Sequence, residues 1–192
     1  MNFAVFASGF GSNLQAIIDA VARGEIKADL KLVLSDKKNS FALERAQKAG
    51  IPTVWIDPKQ FQDRASFDAA CLKELKKNKI DFIALAGYMR ILSPGFIKAY
   101  SNKIINIHPA YLPAFKGANA IKDAFAAKVK ETGVTVHFVV EEVDSGPIIL
   151  QEKLLIEPQD TLESLEKRVH ALEHKLYPKA IALFVDGKIK NR

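Results

Sequence analysis

Short apolar runs alternate with amphipathic stretches along the first half of the chain. Apolar runs of four to eight residues predict buried strands, and apolar positions spaced three and four apart predict helices. The predicted strands cover residues 1–7, 29–35, 53–56, 81–87 and 103–108, and the predicted helices cover 13–22, 41–49, 67–78 and 93–99. Apolar strands separated by helices are typical of βαβ units, so we expect a parallel sheet with helices on both faces.

The pattern changes in the second half. Residues 118–130 read as a helix, and strand-like stretches follow at 134–140 and 147–156. The turn sequence VDSGP separates these two stretches, so we expect them to pair antiparallel. Residues 161–184 form a last helix, in which Pro178 is a candidate interruption. We therefore predict one α/β domain over residues 1–192, with an open, doubly wound, mostly parallel sheet of about seven strands.

Composition narrows the class of protein. The chain is 48% hydrophobic and has one cysteine, Cys71, whose apolar neighbours predict a buried thiol. No apolar run approaches the roughly 20 residues of a membrane span, and no leader precedes the first strand, so we expect a cytoplasmic protein that does not contact a membrane. The net charge of +6 comes from dispersed lysines. This pattern disfavours nucleic acid and suits a small polyanionic ligand.

Three polar clusters lie where predicted strands end: SGFGSN at 8–13, GYMR at 87–90 and NIHP at 106–109. Open α/β sheets bind ligands beyond the carboxyl ends of their strands, at the point where the strand order reverses. We expect the first and fourth strands to flank that point. Asn106 and His108 are two residues apart and so project from the same face, and Pro109 then ends the strand.

The glycine-rich turn at residues 8–13 suits an anion. Gly9 and Gly11 allow a tight turn, and the N-terminus of the following helix favours negative charge. Leu14 replaces the third glycine of the dinucleotide fingerprint and no P-loop lysine follows, which favours a phosphate monoester. Asp36, after the second strand, leaves a nicotinamide-dependent oxidoreductase open as an alternative. A non-catalytic nucleotide-binding module, or a turn that binds nothing, also stays open.

Asn106, His108 and Asp144 are candidates for chemistry. A histidine can donate a charged hydrogen bond near neutral pH, and an amide can donate to a developing oxyanion. Asp144, in the DSG turn, can orient an imidazole and favour its charged form. Two of these residues also have a structural explanation, in which His108 caps the strand end and Asp144 simply forms the turn.

The other histidines are weaker candidates. His137 lies in an alternating strand, so we expect it in the core or supporting the site. His170 and His174 are one helical turn apart, which is metal-ligand spacing, but no HExxH motif accompanies them. We predict no metal.

Six segments in order resemble one family over nearly the whole chain. They are SGFGSNLQAII (8–18), LAGYMRILSP (85–94), NIHPAYLPAFKG (106–117), VTVHFV (134–139), VDSGPIILQ (143–151) and RVHALEHKLYP (168–178). The chain resembles the folate-dependent phosphoribosylglycinamide formyltransferases of purine biosynthesis. The resemblance implies glycinamide ribonucleotide as substrate, 10-formyltetrahydrofolate as co-substrate and no metal. We expect a monomer or a homodimer.

The resemblance also implies roles for individual residues. It implies catalysis by Asn106, His108 and Asp144, and substrate contacts by Gly11, Ser12, Asn13, His170 and Glu173. It implies folate contacts by Arg64, Met89, Arg90, Ile91, Leu92, Asn106, Val140, Glu141, Glu142, Val143 and Asp144. Asn119 stands where a histidine is expected in the family, which leaves its part in the site open.

The implied chemistry agrees with the candidate residues. The substrate amine would attack the formyl carbon, with Asn106 and protonated His108 stabilising the oxyanion and Asp144 holding His108. Two sibling activities are alternatives. Methionyl-tRNA formyltransferases usually add a C-terminal RNA-binding domain, and formyltetrahydrofolate hydrolases usually add an N-terminal regulatory domain. We expect neither addition here.

Overall fold

Seven strands form one sheet in the computed structural model, which describes residues 1–189. The strands are β1 (Asn2–Phe6), β2 (Asp29–Ser35), β3 (Thr53–Trp55), β4 (Phe82–Leu85), β5 (Ile104–His108), β6 (Glu131–Phe138) and β7 (Ile148–Leu155). Their order across the sheet is β3-β2-β1-β4-β5-β6-β7. Strands β1 to β5 are parallel, whereas β6 runs antiparallel to β5 and β7. The predicted fold class is confirmed, as is the antiparallel pairing of the last two strands.

Six α-helices cover the two faces of the sheet within the described residues. They are α1 (Ser12–Ala22), α2 (Phe41–Lys48), α3 (Arg64–Lys77), α4 (Pro94–Ala99), α5 (Ala120–Ala126) and α6 (Leu162–Val185), and a short 3₁₀ helix spans Pro58–Gln60. Because side chains alternate along a strand, Phe3 and Val5 of β1 enter one core while Ala4 and Phe6 enter the other. Helices α1, α2, α5 and α6 pack on the first core, and α3 and α4 pack on the second.

Several predicted boundaries are wrong for local reasons. Helix α5 is shorter than 118–130 because the backbone turns left-handed at Lys128 (φ 50°), and β6 therefore begins before 134. Helix α3 begins before residue 67, since the Asp63 and Ser66 side chains form a capping box at its start. Helix α6 continues through Pro178, so the candidate interruption does not end it.

The strand order places the predicted reversal point between β1 and β4. The chain adds β2 and β3 on one side of β1 and, after crossing over, adds β4 and β5 on the other side. The carboxyl ends of β1, β4 and β5 therefore border one crevice, as predicted.

Two further predictions concern the rest of the fold. None of the helices found in residues 1–189 is long and apolar enough to span a membrane. The Cys71 thiol, on α3, is buried in the second core, as predicted, and burial raises its pKa to about 12.

Candidate active site

Strand β5 presents Asn106 and His108 on one face, as their spacing predicted. Ile105 precedes Asn106, and Ile107 lies between Asn106 and His108. Both pack into the core beneath α1 and α6. Asn106 lies opposite His137 of the antiparallel strand β6. This cross-strand pairing brings a third polar side chain to the crevice.

Asp144 reaches His108 from the turn between β6 and β7. Its Oδ2 lies 3.4 Å from His108 Nδ1, and both side chains are less than a tenth exposed. The same oxygen accepts a hydrogen bond from the Gly117 N–H at 2.8 Å. Burial opposes ionisation of this carboxyl, but hydrogen bonding, including that from the Gly117 N–H, and the His108 ring outweigh it and lower the pKa of Asp144. Asp144 is thus held as a carboxylate beside the His108 ring.

Both ring nitrogens of His108 face acceptors. Nε2 donates to the Phe115 carbonyl at 2.8 Å, and Nδ1 faces the Asp144 carboxylate. A ring with a proton on each nitrogen satisfies both contacts, whereas a neutral ring leaves a lone pair opposite one of them. Both contacts therefore favour N–H donors on the His108 ring.

His137 contacts both Asn106 and Asp144. Its Nδ1 donates to the Phe138 carbonyl at 2.8 Å, so in the neutral ring Nε2 accepts from Asn106 Nδ2 at 3.2 Å. Nε2 also lies 3.6 Å from Asp144 Oδ1. His137 is 2% exposed. The expectation that it lies in the core or supports the site is confirmed, and one N–H of the Asn106 amide remains to face the crevice.

The glycine-rich turn opens helix α1 without a side-chain cap. Gly11 is the N-cap residue, with φ 75°, and no side chain hydrogen-bonds the free N–H groups of the first turn. Helix α2 packs against this turn so closely that a Cβ on Gly11 would lie 2.8 Å from Ala42 Cα. The first-turn N–H groups at Ser12 and Asn13 can therefore receive an anion.

Arg45 of α2 adds positive charge beside this turn, a contribution that the sequence patterns did not reveal. Its guanidinium lies 4.6 Å from the centre of the Phe10 ring, and its Nε donates to the Phe10 carbonyl at 3.0 Å. Its NH1 donates to Gln15. A basic residue in a helix two elements away carries no local signal, since only packing of α2 on the turn brings it there.

Helix α6 meets the start of α1 through Glu173. Asn13 Nδ2 donates to Glu173 Oε2 at 3.2 Å, and His170 Nδ1 donates to the same oxygen at 2.7 Å. Glu173 is 4% exposed. The hydrogen bond to Glu173 outweighs burial and raises the pKa of His170. The structure therefore brings the predicted substrate residue Asn13 to His170 and Glu173, which are far from it in sequence.

The segment after β4 forms another edge of the crevice. Met89 and Ile91 are exposed by 69% and 58%, whereas the Leu92 side chain is buried in the core. Leu92 can therefore offer a ligand its backbone but not its side chain. The Arg90 guanidinium stacks over the Phe67 ring of α3 at 4.6 Å.

Arg64 is exposed at the first residue of α3. It lies one turn before Phe67, the residue on which Arg90 stacks, and before Asp68, whose carboxylate accepts from the Ser93 N–H at 2.6 Å. These contacts put the start of α3 beside the segment from Met89 to Leu92.

The loop between β6 and β7 carries the remaining predicted folate residues. Val140, Glu141, Glu142 and Val143 are all exposed. Lys116 joins this loop to the segment after β5, because its Nζ contacts Glu142 Oε1 at 3.2 Å and donates to Ser145 Oγ at 2.5 Å. The segment after β5 and the loop between β6 and β7 therefore both border the His108–Asp144 pair.

Asp36 directly follows β2, and Asn119 directly precedes α5. Asp36 is 6% exposed, and its Oδ1 has no hydrogen-bond partner within residues 1–189. Among residues 1–189, no group of three or more His, Cys, Asp or Glu side chains is placed to hold a metal ion. Asn119 is the N-cap residue of α5 and makes no side-chain capping bond there.

Fold and site together define an open α/β protein with an uncapped helix start on one side of a crevice and a His–Asp pair on the other. A model of the formyl transferase family matches residues 1–181. The chain belongs to this family, in agreement with the resemblance of its motifs.

Relatives of this chain are formyltransferases of one kind. The chain is 46% identical over 179 residues to phosphoribosylglycinamide formyltransferase of Bacillus subtilis, covering 93% of this chain and 92% of that protein. It is 42% identical over 190 residues to the Escherichia coli protein of the same name, covering 99% and 90%. The crystal structure of glycinamide ribonucleotide transformylase 1 from Symbiobacterium toebii superposes with a TM-score of 0.96 at 43% identity, covering 100% and 92% of the two chains.

Proposed function

We propose that this protein transfers the formyl group of 10-formyltetrahydrofolate to the amine of glycinamide ribonucleotide. A bond forms between the substrate nitrogen and the formyl carbon, and the bond from that carbon to the folate nitrogen breaks. The proton lost by the amine goes to the folate nitrogen. Residues 1–192 act as one domain that needs no metal, in the cytoplasm, as a monomer or a homodimer.

The His108–Asp144 pair beside Asn106 is the observation that carries this proposal. Attack on a formyl group places negative charge on its oxygen, and preorganised donors stabilise such charge. The His108 ring offers a charged N–H that Asp144 supports at 3.4 Å, and the Asn106 amide, held by His137, offers a neutral N–H. Both donors sit at the end of one strand, which keeps their separation rigid.

The helix start supplies the second half of the proposal. Gly11, Ser12 and Asn13 offer free N–H groups to a phosphate monoester, which is the anionic group of a ribonucleotide. Glu173, next to Asn13, can accept hydrogen bonds from ribose hydroxyl groups. The amine of a substrate anchored there would extend along the crevice toward His108.

The folate would lie along the opposite edge. Met89, Arg90, Ile91, Leu92 and residues 140–144 line that edge, and exposed apolar side chains beside a cation suit a pterin ring with a carboxylated tail. Arg64 would face the tail carboxylates.

The Phe115 carbonyl adds a requirement. It accepts the proton on His108 Nε2 at 2.8 Å. For Nε2 to donate to the formyl oxygen, this contact must be exchanged for the substrate contact, so the segment after β5 has to shift when the ligands bind.

The test follows loss of the formyl group from a 10-formylfolate donor spectroscopically, with and without glycinamide ribonucleotide. We expect turnover only when the ribonucleotide is present, and its loss in His108→Ala. His174→Ala is the matched histidine control, since His174 lines a groove with Arg23 and Lys179 at the far end of α1. Turnover without ribonucleotide would indicate a hydrolase. Nicotinamide binding without folate binding would revive the oxidoreductase alternative.

A further inference from the structure

Ser8 joins the two segments that the proposed ligands would contact. It directly precedes residues 9–13 in the chain, and it hydrogen-bonds the segment after β4. It is the first residue of the glycine-rich turn at 8–13, two positions after the end of β1, and it is 8% exposed. Its N–H donates to the Gly87 carbonyl at 3.1 Å. Its hydroxyl accepts from the Met89 N–H at 2.9 Å. Ser8 therefore holds Met89, the first residue of the proposed folate-binding segment at 89–92. Its neighbour Gly9 begins the proposed phosphate-binding segment at 9–13.

These contacts extend the pairing of β1 and β4 beyond the ends of both strands. The Ala86 N–H donates to Phe6 at 2.8 Å, and the Ser8 bonds follow directly along the same edge. Gly87 then turns with φ 70°, so the ladder cannot continue through backbone groups alone. Beyond Gly87, the Ser8 hydroxyl replaces a backbone carbonyl as the acceptor for the Met89 N–H. The Met89 side chain is 69% exposed at the rim of the crevice.

We propose that Ser8 is a positioning residue that couples the two ligand sites. A phosphate on the first turn of α1 restrains Gly9 to Asn13, which restrains Ser8, and Ser8 in turn restrains Met89. Because a segment already ordered loses less entropy on binding, occupation of the phosphate site strengthens binding of the formyl donor. This inference rests on the proposed function for the identity of the two ligands.

The kinetic test compares Ser8→Ala with Tyr100→Phe. Tyr100 donates one hydrogen bond to the Ile80 carbonyl, before the opposite end of β4, so its variant also removes one hydroxyl contact to a main-chain group. At saturating ribonucleotide, we expect Ser8→Ala to raise the KM for the formyl donor about threefold to tenfold, the range for one lost hydrogen bond. We expect kcat to change less than twofold, and Tyr100→Phe to leave both constants unchanged.

A donor KM in Ser8→Ala equal to that in Tyr100→Phe would overturn the coupling. So would a fall in kcat with an unchanged KM. Absence of transfer by the unmodified protein would instead count against the proposed function, and the two failures are therefore distinguishable.

A second measurement needs no variant. Amide hydrogen exchange at Met89 is followed in the unmodified protein with and without inorganic phosphate. We expect phosphate to slow exchange at Met89 at least twofold. The amide of Lys103, which donates to Tyr100 at the other end of the sheet, serves as the reference and should not change. Equal exchange rates at Met89 with and without phosphate would refute the coupling, even if the protein transfers the formyl group as proposed.

Discussion

Replacing Asp144 by asparagine removes one negative charge from the site and keeps the shape of the side chain. The carboxylate lies 3.4 Å from His108 and 3.6 Å from His137. At an effective dielectric constant of about 20, a unit charge pair at the shorter distance is worth about 5 kcal/mol. Desolvation of the buried groups offsets part of this attraction. We expect about 3 kcal/mol of transition-state stabilisation to be lost, which is about a hundredfold in kcat.

The assay measures kcat and KM for both substrates, together with the thermal unfolding midpoint. In Asp144→Asn, the amide oxygen of the new side chain can still accept from the Gly117 N–H, so the loop keeps its anchor. We therefore expect kcat to fall while the KM for the ribonucleotide stays within threefold. Asp160→Asn is the control, because Asp160 is a shielded carboxylate paired with Arg168 and Ser164 at the start of α6.

Two results would refute this reasoning. If kcat of Asp144→Asn stayed within threefold of the unmodified protein, the charge would not act in the reaction. If Asp160→Asn lowered kcat as much, the loss would reflect a general effect of removing a shielded carboxylate.

Three further predictions concern the helix start, its neighbour on α6 and the thiol. Gly11→Ala should lower ribonucleotide affinity more than tenfold and lower the unfolding midpoint, because a Cβ there meets the backbone of α2 and the φ of 75° disfavours it. The stabilising contact of His170 with Glu173 should be complete below pH 6.5, the ordinary pKa, and disappear as the pH rises through the raised folded-state pKa. Cys71 should resist alkylation at pH 8 in the native protein, because its pKa is about 12, and react fully after denaturation.

Each of these has its own check. Gly24 has a similarly unfavourable φ of 73°, but nothing lies within 4 Å of a Cβ placed there. If Gly24→Ala lowered ribonucleotide affinity and the unfolding midpoint as much as Gly11→Ala, the packing argument at Gly11 would be contradicted. For His170, the unfolding midpoint of the unmodified protein minus that of His170→Gln is measured between pH 5.5 and 9, and a difference that grows with pH would reverse the expected sign. Rapid native alkylation would show that Cys71 is accessible.

Much of the site could be predicted because strand ends have local signals. The apolar run before Asn106 predicts a buried strand, Pro109 predicts its end, and the spacing of Asn106 and His108 puts them on one face. Gly9 and Gly11 after β1 likewise predict a turn into a helix. These conclusions depend on neighbouring residues only, and each is confirmed by the structure.

Contacts made through the main chain of distant loops had no such signal. Phe115 and Gly117 contact His108 and Asp144 by a carbonyl and an N–H, and these groups occur in every residue whatever its side chain. His137 faces Asn106 only because of the β5–β6 register. Ser8 contacts Met89 only because β1 and β4 are neighbours in the sheet.

The sequence by itself determined the alternation of strands and helices, the fold class, the family and the residues that can donate, accept or carry charge. Those properties follow from local periodicity, from turn chemistry and from the order of the motifs. The tertiary structure alone decided which of these groups meet. Asn13 and Glu173 are 160 positions apart and share a hydrogen bond because α1 packs on α6. Such a meeting depends on the packing of whole elements, and no local pattern encodes it.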